Sequence, residues 1–148
     1  MEAYANNQQD KVEICEEFMQ VLEKLIKYTL ANEHIRDYEV GVTLVDDEGI
    51  RKLNKQYRKK DEPTDVLSFH LTDETPPGDS IVIGDIVISM ERALKQSLEY
   101  GHSLLRETAF LLVHGIYHLL GYTHDDIESE QKMRKKEEEI LKYFKLSR

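Results

Sequence analysis

The chain has 148 residues, 40 % of them hydrophobic, with a formal net charge of −9 and one cysteine; that supports one core, so a single domain over residues 1–148 is expected. The acidic balance argues against a general nucleic-acid coat protein, which needs a basic surface, and the absence of an eighteen-residue apolar run or an apolar leader argues against a membrane partner and secretion. Cys15 alone cannot form an internal disulfide, which fits a reducing compartment; the expectation is a cytoplasmic protein in which Cys15 is a small buried hydrophobe.

From Val12 to Ala31 apolar residues recur at helical spacing (Ile14, Phe18, Leu22, Leu25), which predicts an amphipathic helix. Tyr38 to Asp46 alternates apolar and polar residues with β-branched content and reads as a strand. Asp46 or Asp47 then offers an N-cap for a helix to about Arg58, with Ile50, Leu53 and Tyr57 facing inward, and the chain leaves it before Pro63. This helix lies in the densest basic run, Arg51 to Lys60, which holds six basic residues and no acid.

Thr64 to Leu71 predicts a short strand and Ile81 to Met90 a second one, interrupted at Gly84 and Asp85. Between them TDETPPGDS is a turn-rich loop. Helices are expected over Glu91 to Tyr100, over Leu104 to Leu120 and over Glu128 to Phe144. The second is apolar nearly all round and therefore buried, whereas the third carries a narrow stripe (Met133, Ile140, Leu141, Phe144) and caps the core. The order α, β, α, β, β, α, α, α describes an α+β fold, a small mixed β-sheet packed against several helices.

The buried helix carries the chemistry. In HGIYHLLGYTH, His114 and His118 stand about one turn apart and leave the same face roughly 6 Å from each other. Gly121 can take φ > 0, end the helix and return the chain so that His124 reaches the same point. Burying imidazoles demands partners for both ring nitrogens, and a metal satisfies one of them. The spacing HxxxHxxGxxH is that of the metzincins, so this is a zincin-like active-site helix. Its cofactor is one Zn²⁺ per chain, held by His114, His118 and His124 with the fourth position left to water, as in catalytic rather than structural sites. Metalloproteases place a glutamate general base directly after the first histidine; here that residue is Gly115, which argues against a peptidase or amidase. Asp125 and Asp126 read as solvated residues, and His34 and His102 as surface histidines.

HGIYHLLGYTHDD resembles the HGxLHLxGYDH motif of the YbeY family of metal-dependent bacterial endoribonucleases. YRKKDEPTDVLSFH is similar to that family's second motif, and IGDIVIS to its third; together they span about residues 38 to 135. The resemblance implies a zinc-dependent, single-strand-specific RNase acting at the 3′ end of the small-subunit (16S) RNA and in ribosome quality control. It implies RNA, the ribosome or its small subunit, ribosomal proteins and assembly GTPases as partners. Carried over by position, it makes the three histidines metal ligands, with His114 catalytic, and makes Arg58 the arginine on which activity depends. A planar, permanently charged guanidinium suits that role, since it grips a phosphate bidentately, and Lys59 and Lys60 add attraction for the RNA backbone. Three positions depart from the pattern: Thr123 stands in place of Asp, Tyr117 in place of Leu, and His70 in place of Pro. His70 is either an extra group at the site or an exposed loop histidine. Attack on phosphorus by water and by a substrate 2′-hydroxyl are both open, as is oligomeric state. The alternative is a ribosome-associated factor whose metal is purely structural.

Overall fold

The computed structural model describes residues 2–70 and 81–146. In chain order it forms β1 (Glu2–Asn7), α1 (Glu16–Asn32), β2 (Asp37–Val45), α2 (Asp47–Arg58), β3 (Val66–His70), β4 (Ile81–Ser89), α3 (Met90–Tyr100), α4 (Leu104–Leu119) and α5 (Ile127–Tyr143). The expected α+β architecture is present, with one strand more than the sequence pattern showed. The sheet order is β1-β2-β4-β3; β1, β2 and β4 run parallel, and β3 is antiparallel to β4. The loop expected over TDETPPGDS, residues 72–80, lies outside the described residues.

Alternation along the strands separates two faces of the sheet. Val40, Val42 and Leu44 of β2 and Ile86 and Ile88 of β4 point to one face, where α1, α4 and α5 close the main core with Leu22, Leu25, Leu112 and Ile116. Val45, Leu67 and Val87 point to the other, where α2 covers them with Ile50. The site grows from the edge of this second layer and from the outer side of α4.

Several elements differ from the expected ones. α1 begins at Glu16 rather than Val12, because the Gln9 side chain accepts from Val12 N–H at 2.9 Å and donates to its carbonyl at 2.8 Å, holding that stretch as a turn. Cys15 is exposed rather than buried; it occupies the N-cap position of α1 while its neighbours Ile14 and Phe18 pack on the core. Strand β4 runs unbroken through Gly84 and Asp85. A Cβ at Gly84 would lie 2.6 Å from the Leu119 side chain, so the glycine admits the end of α4 against the sheet. Asp85, on the opposite face, accepts from the Thr43 hydroxyl at 3.1 Å and forms no turn. Tyr57 is 60 % exposed, its ring set edge-on to Phe69 at 5.1 Å, beyond the part of the sheet that α2 covers. The His102 side chain is buried rather than at the surface, with Nε2 2.6 Å from Glu107 Oε1 at the head of α4.

Candidate metal centre

Helix α4 is capped by Ser103, whose hydroxyl accepts from Arg106 N–H, and is buried along most of its length because apolar residues surround it. Position 115 faces the sheet. A Cβ there would sit 2.8 Å from Ile86 Cγ2 and 3.1 Å from Ser68 Oγ, and Ser68 donates to the Gly115 carbonyl at 2.9 Å. The place where metalloproteases carry their glutamate is therefore filled by the sheet. Glycine is required there for packing, and His114 and His118 leave the helix elsewhere.

The helix ends as the sequence predicted. Gly121 takes φ 95°, its N–H donates to the His118 carbonyl and Tyr122 N–H to the Tyr117 carbonyl, both at 3.0 Å, a left-handed closure that glycine permits without strain. The chain folds back and delivers His124. The ring centroids of His118 and His124 are 5.0 Å apart, those of His114 and His118 4.5 Å.

One ligand atom from each histidine lies within 4.8 Å of the others, and the Nε2 atoms of His114 and His118 face each other at 3.0 Å. Zn–N bonds of about 2.0–2.1 Å in a tetrahedral site ask for roughly 3.4 Å between ligand nitrogens, a value these separations bracket. The second ring nitrogens of His114 and His118 also have partners. His114 Nδ1 lies 2.9 Å from Oε1 of Glu137, a buried carboxylate on α5, and His118 is hydrogen-bonded to the Tyr122 backbone. Such partners fix ring orientation and raise the basicity of a ligand nitrogen. Burial, followed by the neighbouring His114 and His124, holds the His118 imidazole below its usual pKa, which favours the neutral form a metal needs. The donor set thus fits a divalent ion such as zinc.

Glu137 was not visible in the sequence. It stands 23 residues beyond His114, among the acids of a charged helix, and its one distinguishing sign is that it falls between Met133 and Ile140 on the apolar stripe of α5. Thr123 is exposed, so Glu137 rather than position 123 supports the site with a carboxylate. Asp126 is the N-cap of α5, accepting from Ser129 N–H at 2.7 Å.

Arg58 ends α2, and its position is fixed from both sides. Asn54 Nδ2 donates to the Glu62 carbonyl at 2.8 Å, and Lys59 takes the left-handed conformation, φ 57°, so that Lys60 N–H reaches the Asn54 carbonyl. Arg51 and Lys55 pair with Asp61, whereas Arg58 has no ion-pair partner among the described residues. It lines a hollow of about 670 Å³ together with Ser68, Phe69, His118 and His124. Lys59 and Lys60 are exposed and lie outside that lining. His70, at the end of β3, is exposed and lines the hollow beside Arg58. His34 is exposed, as expected.

The fold and site together define a class: an α+β protein with three imidazoles on and after one buried helix, placed so that they could hold a metal ion beside an arginine that has no ion-pair partner among the described residues. The model of the endoribonuclease YbeY family matches residues 4–145. The chain is 48 % identical to the endoribonuclease YbeY of Acetivibrio thermocellus, across all of this chain and 99 % of the relative. It is 49 % identical to that of Carboxydothermus hydrogenoformans, across 96 % of each. It also resembles the solution structure of TM1509 from Thermotoga maritima, with a TM-score of 0.63 and 26 % identity over 97 % of this chain and 92 % of the other. The chain belongs to the endoribonuclease YbeY family.

Proposed function

We propose that this protein is a zinc-dependent, single-strand-specific endoribonuclease acting in the cytoplasm on ribosomal RNA, in maturation of the 16S rRNA 3′ end and in ribosome quality control. The observation that carries the reading is the convergence of Arg58 with His118 and His124 on one hollow, although the two histidines stand 60 and 66 positions beyond it in sequence. A phosphodiester seated over the histidines is within the space that Arg58 lines. No helix among the described residues is long and apolar enough to cross a membrane.

His114, His118 and His124 would hold the ion, which when bound neutralises charge gathering on a phosphate and lowers the pKa of water to about 7. Glu137 keeps His114 turned with Nε2 toward the site. Arg58 supplies a fork of donors to the phosphate oxygens, and no carboxylate among the described residues is paired with it. Lys59 and Lys60 draw the backbone toward the hollow without reading sequence. A Cβ at position 115 would lie 2.8 Å from Ile86 Cγ2, which supports the nuclease reading over the peptidase one.

The test is cleavage of a single-stranded oligoribonucleotide and of the same strand in a duplex by zinc-loaded protein. The single strand should be cut and the duplex spared; equal cutting of both would contradict the strand preference. A 2′,3′-cyclic phosphate on the product identifies the 2′-hydroxyl as nucleophile, and a 5′-phosphate identifies water.

A further inference from the structure

The histidine triad is a divide between two hollows. His118 and His124 line the one that holds Arg58; His114 and His124 line a second, of about 390 Å³, between α4 and α5. A phosphate centred on the triad has one nucleoside on each side. The strand that enters over Arg58 therefore has its neighbouring nucleoside directed to the α4–α5 hollow.

The two hollows differ in chemistry. The second has an apolar floor of Phe110, Met133 and Leu141 and a rim that includes Glu130, Arg134 and Glu138. Arg134 is already paired with Glu130 at 2.8 Å, and Glu137 is engaged with His114. Glu138 is exposed and has no ion pair or hydrogen bond among the described residues. A carboxylate rim repels phosphate. It accepts strongly from a pair of adjacent N–H groups, and an aromatic and apolar floor favours a flat ring.

We propose that the α4–α5 hollow is a nucleobase subsite flanking the scissile phosphate, and that Glu138 selects guanine there; this rests on the ribonuclease reading above. Guanine presents N1–H and N2–H side by side, matching the two oxygens of a carboxylate. Adenine and cytosine set one amino group beside a ring acceptor, and uracil sets its N–H between two carbonyls. Each of these places an acceptor against one carboxylate oxygen.

The experiment has two readouts on metal-loaded protein. The first is cleavage of single-stranded oligoribonucleotides that differ only in the base flanking the cut, by wild type and Glu138→Gln. The wild type should favour guanine by about tenfold, a bidentate base contact, and the ratio should fall toward one in Glu138→Gln, whose amide turns a donor toward one of the guanine donors. The second is titration with guanosine, which has no phosphate, followed by NMR of the Met133 and Leu141 methyl groups. Guanosine should shift them in wild type more than uridine does, and the difference should vanish in Glu138→Gln. Cleavage without a base preference that the variant alters, or equal response to the two nucleosides, would overturn the subsite and leave the ribonuclease reading intact. No cleavage of any strand would overturn the ribonuclease reading, and the substrate subsite with it.

Discussion

Gly115 shows how one residue serves packing and excludes a chemistry together. Its hydrogen faces Ile86 at a distance where a methyl group would lie 2.8 Å from Cγ2, so Gly115→Ala should destabilise the fold by about 1–3 kcal/mol, the cost of overpacking a filled core, measurable by urea denaturation. A variant as stable as wild type would contradict the packing account. Asp85 is a second such residue. Burial on the sheet face, opposed by the Thr43 hydroxyl and the Ile86 backbone, pushes its carboxyl up to about 6. The folded protein then holds this proton more tightly than the unfolded chain, whose aspartate titrates near 4, so stability from this group falls as pH rises from about 4 to 6 and stays lowered above. Asp85→Asn should therefore gain on the order of 2 kcal/mol at pH 7, allowing for partial exposure, and nothing below about pH 4. A gain that does not change with pH would contradict this assignment. At this scale the grouping of the three histidines was legible from their spacing, whereas Arg58 stands out only through the resemblance of the motif around it. Glu137 and the burial of His102 were not legible, since both depend on partners that only the packed helices bring near.

At the scale of elements, the long periodic segments declared themselves, and the exceptions have physical causes. Strand β1, EAYANN, is rich in Ala and Asn, residues of low strand preference; it is a strand because β2 offers an open parallel edge from Glu39 to Leu44. Helix α2 shows its apolar period correctly, yet Tyr57 extends past the sheet and is left at the mouth of the hollow. The metal centre joins elements that the core already holds: α4 and α5 share Ile116, Met133 and Leu141 in the main cluster. Chelation should therefore lower Tm without unfolding the protein. At a metal concentration a hundred times Kd, binding adds about 2.7 kcal/mol, or roughly 5–10 °C for a chain of this size. Loss of the native circular dichroism spectrum on chelation at 25 °C would favour the structural-metal alternative.

Over the whole molecule, charge is divided. The chain carries −9 overall, while Arg58, within its run of six basic residues, lines the hollow that His118 and His124 share. A net negative charge discourages indiscriminate binding to RNA. The family is that of an endoribonuclease, and the proposed reaction is a metal-assisted cut at a phosphate that Arg58 would hold. The most direct test measures bound zinc and single-strand cleavage on the same samples of wild type, Arg58→Ala and His118→Ala. Arg58→Ala should keep the metal and lose about a hundredfold or more in rate, and His118→Ala should lose both; equal cleavage by all three, whatever their zinc content, would contradict the account.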